Sequence, residues 1–240
     1  MKIVQRTNIG HRASNEDSCL VETSSHSALI AVSDGMGGHV AGKVASELTT
    51  ATLRECFAAQ VPTAADFFAR TFAVCNQAVW DVACADSALR GMGATLVAAM
   101  LYADRYEAAN VGDSRLYHFS AGQLCQVSHD HSYVGELVRL GIIEPEAALR
   151  HPKRNVILRA IGTEETIETD IFSGLWAEGD ILLLCSDGLH NHVSNAQMIE
   201  CFTSGEPLET LAEELITKAL TLGARDNISV VLACHEGGAA

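Results

Sequence analysis

Apolar and polar residues alternate along the chain in two different periods, which predicts a mixed α+β fold. Short apolar runs bounded by Gly-rich and Ser-rich turns indicate strands, and longer segments with apolar residues at helical spacing indicate helices. Strands are predicted at 2–6, 19–23, 28–33, 94–102, 106–111, 115–119, 123–128, 170–172, 181–185 and 228–234. Helices are predicted at 41–59, about 64–85, 132–140, 144–150, 194–202 and 207–222, with a break at Pro62 and Thr63. Hairpins beside long helices favour layers of antiparallel sheet and helix over a doubly wound parallel sheet.

Acidic residues stand where several of these strands begin or end. Asp34 follows the apolar run 28–33, and three glycines within the next four positions allow a tight turn and a close approach of the backbone. Asp187 ends a second apolar run within the same Ser-Asp-Gly tripeptide, so the arrangement is repeated. An ordinary Asp–Gly turn is the alternative for each one taken alone. The acids that flank strands are Glu16, Asp17, Asp34, Asp113, Asp187 and Asp226.

These acids predict a site for divalent cations if their strand ends share one edge of the sheets. Two carboxylates about 4 Å apart repel by roughly 4 kcal/mol at an effective dielectric constant of 20, so a group of them must bind metal ions or take up protons. Oxygen donors without paired Cys or His ligands select Mg²⁺ or Mn²⁺ over Zn²⁺. Two such ions can activate a water molecule and hold a phosphoryl group. The residues alone leave two alternatives, metal-assisted phosphoester hydrolysis and acids scattered over the surface.

Composition narrows the class of protein. The net charge of −14 leaves too few cations for a nucleic-acid or anionic-membrane surface, and we expect neither partner. The eight cysteines include no Cys-x-x-Cys pair and lie mostly in apolar runs, as is typical of reduced, buried thiols. No segment has the length of a membrane span or the pattern of a signal peptide. We therefore expect a soluble, cytoplasmic protein.

Six short motifs follow one another along nearly the whole chain. They are Arg-Ala-Ser-Asn-Glu-Asp at 12–17, Asp-Gly-Met-Gly-Gly-His at 34–39, Gly-Met-Gly-Ala-Thr at 91–95, Val-Gly-Asp-Ser-Arg at 111–115, Ser-Asp-Gly-Leu at 186–189 and Arg-Asp-Asn-Ile-Ser at 225–229. Each motif is weak alone. In this order they resemble the metal-dependent protein phosphatases of the PPM (type 2C) class, and in particular the compact bacterial members that oppose serine/threonine kinases.

The resemblance implies a fold and a metal centre. The fold is a four-layer α/β/β/α sandwich of two antiparallel sheets flanked by helices, with residues 1–240 forming a single domain and a flap subdomain at about 132–160. Two ions, Mn²⁺ or Mg²⁺, are expected between the sheets, with a weaker third. By position, the metal ligands are Asp34 bridging both ions, Asp187 and Asp226 at one ion, Glu16 and the Gly35 carbonyl at the other, and Asp113 with Asp187 at the third.

The resemblance also implies a reaction. Arg12 matches the arginine that binds the substrate phosphate, and Asp17 matches the residue that orients metal-bound water. Phosphoserine and phosphothreonine in proteins are expected to be hydrolysed by in-line attack of a bridging metal-bound hydroxide, with no phosphoenzyme. The expected partners are phosphoproteins and a cognate serine/threonine kinase, and we expect a monomer.

Three other functions stay open. The first is a catalytically inactive family member that acts as a phosphoprotein-binding or regulatory module, which the intact acids count against. The second is the same chemistry directed at an anti-sigma-factor antagonist in a stress response. The third is an acidic, cation-binding structural protein.

The chain departs from the family pattern at one position. Some relatives have a His two residues after the bridging Asp, where it acts as the general acid, and here that position is Met36. His39 lies three residues further on and is a candidate for the role. The alternatives are that it packs against or caps the next helix, and that metal-bound water protonates the leaving group. The residues 190–192 are read as a polar loop before a helix, Arg115 as paired with a nearby acid, and Asn227 as making a turn hydrogen bond. The flap carries five cations, and we expect some of them to help dock the phosphoprotein: Arg139, Arg150, Lys153, Arg154 and Arg159.

Overall fold

A computed structural model of the protein describes residues 1–59 and 64–236. The strands in these residues are β1 (Lys2–Asn8), β2 (Asp17–Thr23), β3 (Ala28–Met36), β4 (Gly93–Ala94), β5 (Leu96–Leu101), β6 (Arg105–Val111), β7 (Arg115–Ser120), β8 (Gln123–Gln126), β9 (Asp170–Leu175), β10 (Ile181–Cys185) and β11 (Ile228–Cys234). The helices are α1 (His39–Ala59), α2 (Ala64–Ala85), α3 (Tyr133–Arg139), α4 (Pro145–Ala148), α5 (Asp187–His190), α6 (Asn195–Phe202) and α7 (Leu208–Thr221).

The strands form two antiparallel sheets. One has the order β1-β11-β10-β7-β8 and the other the order β2-β3-β5-β6-β9, with β4 paired to β3. Three apolar layers hold the sheets and helices together. One lies between the first sheet and α6 and α7, one between the second sheet and α1 and α2, and one between the two sheets. The predicted four-layer α/β/β/α sandwich is confirmed.

The long helix α2 packs against the second sheet through one apolar face, as its sequence predicts. In α2, Phe67, Phe68, Phe72 and Val79 lie on one face and are buried. Their rings pack edge to face, with centroids 5.3 Å apart for Phe67 and Phe68 and 5.9 Å apart for Phe68 and Phe72. Because a helix places residues three and four apart on the same side, this spacing directs the aromatic residues into the core. The break predicted at Pro62 and Thr63 lies outside the described residues.

Two predicted boundaries differ from the structure around Asp34. The strand β3 continues to Met36, because Gly35 and Met36 pair with Ala94 and Gly93 of β4. Asp34 therefore lies within a strand and not in a turn after it. The predicted strand at 94–102 begins instead at Leu96, since Ala94 belongs to β4.

The structure also differs from the loop predicted at residues 190–192, because His190 is the last residue of the one-turn helix α5 (Asp187–His190). Among the described helices, none is both long enough and apolar enough to span a membrane.

Candidate active site

Predicted site residues from both sheets meet at one end of the sandwich. The register of β2 and β3 places Asp17 directly opposite Asp34. In the other sheet, β10 ends at Cys185, two residues before Asp187, and β11 begins at Ile228, two residues after Asp226. Ser186, which precedes α5, donates a hydrogen bond of 2.8 Å from Oγ to Asp17 Oδ2 and so links the two sheets.

The acids at this end are close enough to repel one another. Burial raises the pKa of Asp34 well above its usual value, and the charges of Asp17, Asp187, Asp113 and Asp226 raise it further. The pKa of Asp187 is raised by burial first and then by Asp113 and Asp226. The sequence-based expectation that these carboxylates converge therefore agrees with the structure, although their roles as ligands stay predictions.

Two more acids of the group have raised pKa values. Burial raises the pKa of Asp17 to about 6, with Ser229 and Ser186 opposing the rise through hydrogen bonds and the charge of Asp226 adding to it. Burial and the charge of Asp130 raise the pKa of Asp113 to about 7. At neutral pH this end of the molecule must take up protons or neutralise its charge with cations.

Thr95 connects the Asp34 strand to the Asp113 turn. Its Oγ1 accepts a hydrogen bond of 2.9 Å from Asp34 N and lies 2.7 Å from Ser114 Oγ. Gly112, with φ of +107°, lets the turn pass so close to Thr95 that a Cβ there would lie 2.6 Å from its side chain. The Asp113 carbonyl accepts a hydrogen bond of 3.0 Å from Nε2 of buried His190, so a residue predicted in a polar loop is part of the support beneath the site.

The Glu16 carboxylate and the Gly35 carbonyl flank a common point at the start of α1. A Cβ built on Gly42 would collide with Glu16 Oε2 and would lie 2.9 Å from the Gly35 oxygen. Gly35 N also donates a hydrogen bond of 3.1 Å to Glu16 O. The structure thus brings together the two groups predicted to serve one ion. The sequence analysis did not predict a role for Gly42. A glycine inside a helical pattern is the signal that could have revealed this role.

Asn227 fixes the loop that carries Glu16. Its Oδ1 accepts a hydrogen bond of 2.8 Å from Glu16 N, and its Nδ2 donates to Ile9 O at 2.9 Å and to Ser14 O at 3.1 Å. The predicted role was a turn hydrogen bond. The side chain instead joins segments more than 200 residues apart in the sequence.

Arg12 reaches the acids from the same loop. Its Nη2 lies 2.6 Å from Asp226 Oδ2, and this hydrogen bond raises the pKa of the guanidinium. Both side chains are partly exposed, so the pair lies at the mouth of the site. Contact of Arg12 with a phosphate stays a prediction.

The residues present fit hard divalent cations. Every predicted ligand is an oxygen donor, and Asp17 Oδ1 is buried without a hydrogen-bond partner among the described residues. No three His, Cys, Asp or Glu side chains in the described ranges are already gathered closely enough to hold an ion. Protein groups instead bind three of the acids: Arg12 contacts Asp226, Ser186 donates to Asp17, and Asn191 Nδ2 donates to Asp187 Oδ2 at 3.1 Å.

Two positions concern the general acid. Met36 ends β3, and the thioether there cannot donate a proton. His39 is the first residue of α1, and its side chain lies outside the part of the chain that the structure describes.

Comparisons with known proteins agree with this geometry. The Protein phosphatase 2C family matches residues 4–221. The serine/threonine phosphatase stp of Listeria innocua is 41% identical over 95% of this chain and 93% of its own. The structure of Stp1 from Staphylococcus aureus is 32% identical over 98% of this chain and 95% of that one, with a TM-score of 0.93. The catalytic domain of PstP, crystallised in complex with two manganese ions, is 34% identical over 97% of both chains, with a TM-score of 0.86.

The sandwich, its acids and these likenesses together define a phosphoprotein phosphatase of the PPM class. Within that class, the chain belongs to the protein phosphatase 2C family.

Proposed function

We propose that the protein is a metal-dependent serine/threonine phosphatase that removes phosphate from phosphoserine and phosphothreonine in proteins and opposes a bacterial serine/threonine kinase. The observation that carries the proposal is the meeting of Asp17, Asp34, Asp113 and Asp187 at one end of the sandwich, where burial and the charges of the other three raise the pKa of Asp34. The names of the matched relatives support the choice of substrate. No observation favours the inactive alternative.

The proposed cofactor is a pair of Mn²⁺ or Mg²⁺ ions, with a weaker third. When bound, such ions polarise a phosphoryl oxygen and lower the pKa of a water molecule. Asp34, Asp187, Asp226, Glu16 and the Gly35 carbonyl would hold the pair, and Asp113 would contribute to the third.

The remaining roles belong to side chains of the chain itself. Arg12 would turn from Asp226 toward the substrate phosphate, whose oxygens match a planar guanidinium. Asp17 would orient the attacking water through Oδ1, the buried oxygen that has no hydrogen-bond partner among the described residues. His39 stays the candidate for protonating the leaving group.

We place the whole activity in one domain, residues 1–240, with a flap at about 132–160. After α3 and α4 the chain pairs with the start of the flap through a bridge between Ile157 and Ser132, and it rejoins the sandwich through a bridge between Ile161 and Ala94.

The test is hydrolysis of 4-nitrophenyl phosphate and a phosphothreonine peptide with Mn²⁺. Chelation and Asp34→Ala are each expected to abolish turnover of both substrates, and Arg12→Ala is expected to weaken phosphate binding. Asp104→Ala, an exposed acid in the β5–β6 hairpin, is the matched control and should retain activity. Absence of turnover by the unmodified protein with Mn²⁺ would contradict the proposal.

A further inference from the structure

A cleft of about 550 Å³ separates the flap from the body of the protein. It reaches Asp113 and Asn191, and Asn191 holds the carboxylate of Asp187. The cleft therefore borders the candidate active site. Apolar side chains line both of its sides: Val134, Val138 and Leu149 from the flap, and Val193 and Ala196 from the loop before α6 and the first turn of that helix.

The structure distinguishes the five flap cations from one another. Three of them already have partners within the protein: Arg139 pairs with Glu136 at 2.6 Å, Arg159 with Asp170 at 3.0 Å, and Lys153 Nζ lies 4.8 Å from the centre of the Tyr133 ring. Arg150 and Arg154 are exposed, and no described carboxylate lies within 4.0 Å of either. Of these two, Arg154 lines the cleft and Arg150 does not.

Two other arginines, Arg115 and Arg139, line the cleft, and each is paired with a carboxylate, Arg139 with Glu136 at 2.6 Å. Arg154 is the cleft arginine that has no carboxylate partner among the described residues. Arg115 and Asp130 form a buried pair at 2.7 Å and compensate each other. The first residues of α6 also line the cleft, and the N-terminus of a helix favours negative charge. The opposing group is Glu146, an exposed acid of α4.

We infer that this cleft binds the part of a phosphoprotein substrate that flanks the phosphorylated residue, and that Arg154 selects substrates with an acidic side chain there. The inference rests on the proposed function. Its support is the continuity of the cleft with the acids of the site, together with an arginine that has no carboxylate partner and that an acidic side chain would complement. The apolar sides of the cleft accommodate the aliphatic part of the bound segment.

A peptide series with single charge changes tests the inference. Each phosphothreonine peptide of the series carries one Asp in place of Asn, at each position from four before to four after the phosphothreonine. The unmodified protein with Mn²⁺ is expected to show a KM about three-fold lower for Asp than for Asn at one or two positions, the size of a partly exposed ion pair. In Arg154→Gln this preference should disappear, while the KM for the Asn peptide changes less than two-fold.

Two further variants complete the design. Arg150→Gln removes a flap arginine that does not line the cleft, and it should keep the preference for Asp. Glu146→Gln removes the opposing acid and should strengthen that preference. A preference for Asp that survives Arg154→Gln, or no preference at any position, would overturn the inference. Failure of the proposed function would differ from both outcomes, because no peptide and no aryl phosphate would be hydrolysed.

Discussion

The raised pKa of Asp17 predicts that removing a carboxylate will stabilise the metal-free protein. Asp17→Asn keeps the size of the side chain and an oxygen that can accept the hydrogen bond from Ser186 Oγ. It removes a negative charge that burial and the charge of Asp226 make unfavourable. In the presence of a chelator at pH 7.5, we therefore expect the variant to be more stable than the unmodified protein.

The expected magnitude follows from the pKa. The value of about 6 in the folded protein lies above the 3.8 expected for an unfolded aspartate. At about 1.36 kcal/mol per pKa unit, the ionised carboxylate lowers the free energy of unfolding by about 3 kcal/mol. For a chain of this length, that difference corresponds to about 6–12 °C in Tm.

The pH dependence has a definite sign. Because the folded state binds this proton more tightly than the unfolded state does, the destabilisation is fully present above pH 6 and is lost as the pH falls toward 3.8. Asn does not titrate, so the difference in stability between variant and unmodified protein should shrink to about half at pH 5 and to less than about 1 kcal/mol near pH 4. Taking a difference between the two proteins cancels the titration of the groups that do not interact with Asp17. Asp34 and Asp187 are not among them, since the charge of Asp17 raises the pKa of both.

Urea denaturation at several pH values, with a chelator throughout, measures this difference. Asp180→Asn is the matched control, since Asp180 is a buried acid at the opposite end of the sandwich. Burial acts to raise its pKa, but hydrogen bonds from Ser120, Ala177 and His118 outweigh burial and lower the pKa. The same substitution should destabilise the protein there at pH 7.5. If Asp17→Asn were neutral or destabilising at pH 7.5, the electrostatic reasoning about the site would be wrong.

Two further predictions concern the supports of the site. Gly42→Ala should raise the Mn²⁺ concentration needed for half-maximal activity at least ten-fold (roughly 1.4 kcal/mol), because its Cβ would collide with Glu16 Oε2; an unchanged metal titration would contradict this. Asn227→Ala should lower the free energy of unfolding by about 1–3 kcal/mol, since Glu16 N, Ile9 O and Ser14 O lose their partner. Its urea midpoint checks this, and a midpoint equal to that of the unmodified protein would show that water replaces the side chain without loss.

Much of the fold could be predicted because its apolar runs are short and sharply bounded. The strands at 181–185 and 228–234 have the predicted bounds, since every residue from Ile181 to Cys185 and from Ile228 to Ala233 is buried. The extension of β3 to Met36 could not be predicted in the same way. It depends on pairing with β4, whose two residues lie more than 50 positions away, and of these only Ala94 falls within a predicted strand.

The candidate site likewise contains residues that could be predicted from the sequence and residues that could not. The acids were identifiable because carboxylates at the ends of apolar runs are unusual and recur along the chain. Their supports were not, because Thr95, Gly42 and Asn227 act through partners that only the folded chain brings near. His190 shows the same limit, since nothing local predicts that a histidine in a polar sequence is buried against the Asp113 carbonyl.

The position of the acids follows from the alternation of side chains along each strand. In β3, Ile30 and Val32 point into the apolar layer between the sheets, and Asp34 has the same parity. In β2, Cys19 and Val21 pack against that layer, and Asp17 continues their series. The site is therefore the end of the inter-sheet layer, where apolar side chains give way to carboxylates. A register slip of one residue would turn each acid away together with the apolar residues behind it, so burial of the core also fixes the geometry of the repelling charges.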